Sequence, residues 1–247
     1  MKVFRLIRSK PATAVYNMAL DEKIFNQYLL DGVPVLRVYG WSAPSFTYGF
    51  SQKPQEELDL PGCARAGVEV VKRMTGGGIL FHHDEITYSF VCSKQDVGEE
   101  PGVFVSYRRI CAFLIRFYKS LSLKVSFAIE SESFKSRSLP QALCSASNEK
   151  YDIIINDKKI GGNAQKRRRQ AVFQHGAIPC SIDWELVSKY IRVFPKNMPE
   201  EITTLSQELA HVPDKAVLEE KLIEAFGNEF GARFLEEEKV YCETGVA

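Results

Sequence analysis

The chain has 247 residues, 45% hydrophobic and 26% charged, the balance of a folded soluble protein. A formal net charge of +1 excludes the bulk positive field of a nucleic-acid or acidic-membrane binder. Six cysteines without a CxxC pair argue against a zinc site or a disulfide framework and point to free thiols in a reducing cytosol, while the charged N-terminus and the lack of any apolar run near ~18 residues argue against a signal peptide or a membrane span.

Val3 to Ile7 predicts a short strand. Pro11-Ala12-Thr13 opens a helix running to about Leu30, with apolar residues at helical spacing, and Asp31-Gly32 ends it. Asp21 and Glu22 within it are expected on a solvated face. Pro34 to Trp41 and Phe46 to Phe50 predict two strands rich in aromatic residues. Gln52 to Gly67 carries proline, glycine and acidic residues and is expected at the surface with one helical turn. Val68 to Val71 leads into Arg73-Met74-Thr75-Gly76-Gly77-Gly78, and Ile79 to Phe81 follows with His82 behind it. Asp84 to Val91 alternates as a strand with one buried face.

Val103 to Leu121 predicts a second long helix and Leu123 to Ile129 a strand. Glu130 to Ser147 is serine-rich and aperiodic, as a loop is. Tyr151 to Ile155, a tight turn at Asn156-Asp157, Lys158 to Gln165, a basic tip from Lys166 to Gln170 and Ala171 to Ile178 together predict a meander of strands. Helices are expected at Trp184 to Tyr190 and Asp214 to Phe226, and a last strand or helical turn within Phe230 to Val240. Strands and helices come in partly segregated runs. The fold class is therefore α+β, one domain over residues 1–247, with a mixed, largely antiparallel sheet flanked by helices.

Three places carry possible chemistry. Three consecutive glycines inside strand-like sequence weaken a sheet, and the usual compensation is close backbone approach to something, often a ligand. They match neither the P-loop nor the dinucleotide fingerprint. Their amides suit a phosphate or carboxylate, with Arg73 to pair with it and His82 to donate to it; a plain bulged hairpin with a structural histidine accounts for the same residues. Lys159 enters a strand just before Ile160-Gly161-Gly162, either reaching an anion or a polarised carbonyl or standing in solvent like Lys158. Cys144 lies in the Ser/Ala-rich loop, either a thiol activated by a nearby lysine or an incidental one. The Lys166–Arg169 run suits a solvated hairpin tip or contact with an acidic protein better than RNA, since no stacking-aromatic motif accompanies it.

These places occur together with others. Asn17-Met18-Ala19-Leu20-Asp21-Glu22, Leu36 to Trp41, Arg73 to Gly78 with His82, Lys159 to Gln165, Gln174-His175-Gly176 and Ile202 to Leu205 resemble, in order, motifs of the lipoate–protein ligase A and octanoyltransferase family, relatives of the biotin ligase catalytic domain. The resemblance implies an acyl tunnel. Lys159 stands where the family's lysine meets the carbonyl or phosphate end of the acyl donor. Arg73, Thr75, Gly76, Gly77, Gly78 and His82 line that site, as do Gly161, Gly162, Ala164 and His175.

Two chemistries are implied. A cysteine-type transferase moves an octanoyl group from acyl carrier protein onto its own cysteine and then to the lysine of a lipoyl domain, in the glycine-cleavage H protein or the E2 chain of a 2-oxoacid dehydrogenase. It needs no cofactor and no metal. A ligase makes lipoyl-adenylate from lipoate, ATP and Mg²⁺. Cys144, fifteen residues before Lys159, stands where the transferases carry their nucleophile, and Tyr151-Asp152 resembles their Tyr-Glu pair. The chain also leaves no room for the ligases' C-terminal accessory domain. Gly78 leans toward the ligases. The expectation is an octanoyltransferase with Cys144 and Lys159 as catalytic residues, cytoplasmic and without nucleic-acid or membrane partners, the alternatives being an ATP-dependent lipoate–protein ligase and a non-catalytic acyl-binding module. Trp41, Phe46, Tyr48, Val71 and Ile79 are the candidates for an apolar slot taking the acyl chain.

Overall fold

In the computed structural model of the chain, residues 2–98, 103–132 and 151–236 are described. The strands in chain order are β1 (Lys2–Arg8), β2 (Val35–Tyr39), β3 (Ser45–Tyr48), β4 (Glu69–Lys72), β5 (Leu80–His82), β6 (Glu85–Ser93), β7 (Val125–Phe127), β8 (Ile153–Ile155), β9 (Lys158–Ile160), β10 (Gly162–Arg168), β11 (Ala171–Pro179), β12 (Ile202–Thr203) and β13 (Ala232–Glu236). They make three sheets: β10-β11-β6-β2-β1-β13, β12-β9-β8-β7 and β4-β3-β5. The large sheet is antiparallel from β10 to β2 and parallel from β2 through β1 to β13, so the sheet is mixed.

Three long helices cover the large sheet. The first, Ala14–Asp31, starts at Thr13, whose side chain accepts from the Tyr16 amide. It stops at Gly32, where the left-handed backbone (φ 67°) lets the Gly32 amide reach the Tyr28 carbonyl. Its Leu20, Ile24, Phe25 and Tyr28 pack on Ile7, Val35, Val91 and Phe173 of one sheet face. The second and third, Val103–Ser120 and Lys215–Phe230, bury Ile110, Phe113, Phe117, Leu222 and Phe226 against Phe4, Leu36, Tyr88 and Phe90 of the other face. Alternate residues of each strand point to opposite faces, so one strand feeds both cores.

That two-sided cover corrects the reading of β6. Its solvent face is not exposed: Glu85, Thr87 and Ser89, the polar half of the alternation, are all buried. β6 sits between β11 and β2, under the first helix, so the alternation marks an apolar core on one face and a polar interior on the other.

The expected meander from Tyr151 to Ser181 divides at Gly161. β8 and β9 belong to the four-stranded sheet, joined by Asn156 and Asp157, both at positive φ. β10 and β11 belong to the large sheet. Gly161, at φ 73°, makes the bend, and a Cβ there would lie 2.2 Å from the Ala177 carbonyl oxygen. Gly161→Ala combines that collision with an unfavourable backbone, and we expect a loss of more than about 1 kcal/mol of stability, read as a fall in the urea midpoint. Gln52 to Gly67 holds two short helices, Pro54–Glu57 and Leu60–Arg65, rather than one turn, and buries Leu58 and Cys63. β12, two residues long and parallel to β9, has too little sequence to betray itself.

Candidate active site

The polar interior is built from the first helix, β2, β6, β11 and the glycine stretch. Arg37 on β2 is fully buried. Its Nη1 donates to Asp21 Oδ1 at 2.7 Å and to the Asn17 carbonyl, its Nη2 to Asn17 Oδ1 at 2.7 Å and its Nε to Ser9 Oγ at 3.0 Å. Its plane lies over the Tyr39 ring, 3.8 Å from the centroid. Asp21 is thus not on a solvated face, as expected from sequence, but buried, and it also accepts from the Tyr39 and Ser89 hydroxyls. Burial alone would raise its pKa; the Arg37 charge, with His175 and the hydroxyl donors, holds the carboxyl below its ordinary range.

His175 connects this cluster to the glycine stretch. Its Nδ1 is 3.6 Å from Asp21 Oδ2, and its Nε2 is 2.7 Å from Thr75 Oγ1. With the carboxylate facing Nδ1, that nitrogen carries the proton and Nε2 accepts from the Thr75 hydroxyl. Burial lowers the imidazole's pKa despite Asp21, with Arg73 and His82 nearby adding to the fall, so His175 is neutral at pH 7.

His82 is held in the same fashion. Its Nδ1 lies 2.8 Å from Glu85 Oε1 and its Nε2 2.8 Å from Thr47 Oγ1. Its ring stacks on Trp41 at 3.9 Å between centroids, and Trp41 Nε1 donates to the same Glu85 oxygen at 2.8 Å. Arg73 lies beneath the glycine stretch. Its Nη2 donates to the carbonyls of Gly76 (2.8 Å) and Gly78 (2.6 Å), its Nη1 to the Thr47 carbonyl (3.1 Å) and its Nε to Gly76. The cation expected to pair with an anion thus fixes the loop by its carbonyls. Gly49 shows how closely the backbones approach: a Cβ there would stand 2.1 Å from the Gly77 carbonyl oxygen.

Between these walls lies a slot of about 370 Å³. Met18, Tyr39, Trp41, Leu80 and Ala177 give it apolar surface; Thr47, Arg73, His82, Thr87, Asn163 and His175 give it polar groups, with Gly162, Ala164 and Gly176 as backbone. Of the five residues expected to line an apolar slot, only Trp41 does. Phe46 and Ile79 are core of the three-stranded sheet, Tyr48 packs against that core, and Val71 backs Trp41 from behind. A second cavity of about 610 Å³, walled by Phe81, Trp184, Val187, Met198 and Ile202, adjoins the first through Leu80, Gly162 and Ala177.

Lys159 is neither a solvated turn residue nor part of the slot wall. It is buried on β9, with Nζ 2.8 Å from Asp152 Oδ2, also buried. It stands two residues before the Gly161 bend, where the small sheet hands the chain to the large one. Cys144 lies outside the described residues. Four of the other five cysteines, Cys63, Cys92, Cys111 and Cys180, are buried and outside any disulfide. Burial pushes Cys63 up, and pushes Cys111 and Cys180 up to about 12, so these three are protonated and inert at neutral pH. Among the described residues, no three His, Cys, Asp or Glu side chains gather as a metal site would require, and no helix is long and apolar enough to cross a membrane.

The lipoyl protein ligase A/B catalytic domain family matches residues 13–227. The chain belongs to this family. An octanoyltransferase LipM of Kyrpidia tusciae is 33% identical over 245 residues, 94% of this chain and 89% of that protein. Among solved structures, a lipoate-protein ligase A bound with ATP superposes with a TM-score of 0.78 at 24% identity, covering 96% of this chain and 89% of its own. A bi-partite lipoate protein ligase from Thermoplasma acidophilum, studied with its E2 lipoyl domain, superposes at 0.76 with 20% identity, covering 96% and 87%. At these identities the superpositions establish a lipoate-ligase-like fold. Of the residues expected at the site, Arg73, His82, Gly162, Ala164 and His175 line this one slot, Thr75 reaches it through its bond to His175, and Lys159 sits in a separate buried ion pair. The cluster of Asn17, Asp21, Arg37, Tyr39 and Ser89 behind the slot was missed from sequence, although a lone arginine in the apolar strand Val35–Tyr39 was a signal that a buried carboxylate must lie near.

Proposed function

We propose that the chain is an octanoyl–protein transferase of lipoyl-group assembly, taking the octanoyl group from an acyl carrier protein and delivering it to the lysine of a lipoyl-domain protein, in the cytoplasm and without ATP. The observation that carries the reading is Lys159: a sealed, ion-paired cation at the edge of the glycine-bent strand, fifteen residues after Cys144, in a chain whose full-length relatives include proteins named octanoyltransferase LipM. Cys144, as thiolate, attacks the thioester carbonyl; the carrier's thiolate leaves and a protein-bound thioester forms. The acceptor lysine, having lost its ammonium proton, attacks that carbonyl; an amide forms, the C–S bond breaks, and the amine's second proton passes to the departing Cys144 sulfur. Lys159 favours the thiolate and the developing oxyanion by its charge. Thioester to amide runs downhill, so no nucleotide is consumed.

The slot supports the acyl part of the reading. Six or seven methylenes of an octanoyl chain, at about 0.8 kcal/mol each, gain from Met18, Tyr39, Trp41 and Leu80. Both histidines facing it are held in place, His82 between Glu85 and Thr47 and His175 between Asp21 and Thr75, which suits shaping rather than proton transfer.

The alternative is lipoyl-adenylate chemistry, favoured by Gly78 and by the ATP-bound ligase among the solved structures of this fold. The test supplies an apo lipoyl domain with either octanoyl-carrier protein alone or lipoate, ATP and Mg²⁺, and follows the acceptor's mass. The transferase reading expects the octanoyl increment in the first mixture. Lipoylation in the second alone would replace it by the ligase reading.

A further inference from the structure

Arg73 faces two hollows. Besides the slot, it borders an open groove of about 1180 Å³ whose walls include Phe50 and Lys72 on one part and Lys166 and Arg167 of β10 on the other, with Glu22 as its acid. β10 runs on into Arg168 and Arg169, both exposed. Lys72, Lys166, Arg168 and Arg169 make no ion pair with a carboxylate among the described residues; Lys166 rests over the Phe25 ring at 5.3 Å. In a chain of net charge +1 this is a local concentration of one sign. Arg169 also holds a left-handed backbone, φ 52°, in a two-residue hairpin turn that favours glycine or asparagine. A cation is thus kept at a position where the backbone alone would choose another residue.

We infer that this groove docks the acyl donor, an acidic carrier protein whose phosphodiester-linked arm lies along Lys72 and Lys166 while its acidic surface meets Arg168 and Arg169. The inference rests on the transferase reading. Charge decides between the two partners of that reaction. The acceptor presents an ammonium, which a rim of cations repels; the donor brings a phosphodiester and an acidic face, which the rim attracts and steers. The groove also meets the slot at Arg73, so an arm lying in it ends where the acyl chain is taken up. The exposed Phe50 and the cations would suit single-stranded RNA as well, but the chain's near-zero net charge favours a local, protein-sized contact.

The test titrates the full chain with unacylated holo-carrier protein, which reads docking without chemistry, at low and high salt, and repeats it with the double variant Arg168→Glu/Arg169→Glu. Docking is expected to weaken roughly tenfold or more in the variant and to fall steeply with salt, with the melting temperature and the affinity for an apo lipoyl domain unchanged. Arg169→Gly is the milder control: equal or higher melting temperature, with carrier affinity down a few-fold. Native-like carrier binding in the double variant overturns the inference, as does a loss confined to the acceptor, or binding of an RNA oligomer in place of the carrier. A native chain that docks the carrier through these arginines yet transfers no octanoyl group would sink the transferase reading and leave the groove assigned. A chain that transfers octanoyl with unchanged carrier dependence in the variant would sink only the groove.

Discussion

Lys159→Met is expected to lower octanoyl transfer by about 10²- to 10³-fold, the range for removing one charged stabiliser of a developing oxyanion. It is also expected to cost about 3–5 kcal/mol of stability, because it leaves the buried Asp152 carboxylate without the ammonium 2.8 Å away. The two effects separate in the double variant Lys159→Met/Asp152→Leu. Replacing both members of a buried pair with apolar side chains is often close to neutral, so the double variant regains most of the stability. It does not regain transfer. Urea midpoints and single-turnover rates on the same three proteins check this. If activity returns with stability, Lys159 is a structural ion and no more.

Asp21→Ala is expected to be the most destabilising single change on the slot side, about 3–5 kcal/mol. Arg37 is entirely buried, so removing its carboxylate strands a guanidinium cation in the interior. The native carboxyl's depressed pKa carries a sign that can be checked. Its stabilisation is complete above the unfolded-state value of about 3.9 and is lost as pH falls through the lower folded-state value. His175 works on the same side at higher pH: with a folded pKa below its unfolded value of about 6.5, it withdraws stability as pH falls from there. Acid titration of Asp21→Asn should therefore remove the steepest part of the stability loss below about pH 4, and His175→Gln the shallower slope above it. Unchanged acid profiles in both would contradict the network.

How much of this was legible in the chain follows from what each residue reports locally. The glycine stretch, the capped first helix and the Asn156-Asp157 turn announce themselves because glycine, Thr13 and the left-handed turn residues act over a few positions. Asp21 was misread because charge in a helix usually means solvent. Its spacing held the correction: Asn17, Asp21, Ile24 and Tyr28 fall on one stripe of the first helix, the stripe that is buried. The same holds for Glu85, Thr87 and Ser89, whose burial depends on β6 lying between β11 and β2. The slot walls were the least legible part. Phe46, Tyr48 and Ile79 are as apolar as Met18, Tyr39 and Leu80, and only the arrangement of the β4-β3-β5 sheet against the large one decides which of them face the opening. Likewise Arg73 reads as an anion ligand in sequence, while its reach of three to five residues lets it close on the carbonyls of its own loop.

The transferase mechanism turns on a covalent thioester on Cys144, which intact-mass spectrometry reads directly. The native chain is mixed briefly with octanoyl-carrier protein, quenched in acid, and compared with Cys144→Ala treated alike. One octanoyl increment is expected on the native chain, removed by hydroxylamine or by an apo lipoyl domain, and none on the variant. An increment that persists in Cys144→Ala, or acceptor octanoylation by that variant at the native rate, would contradict it.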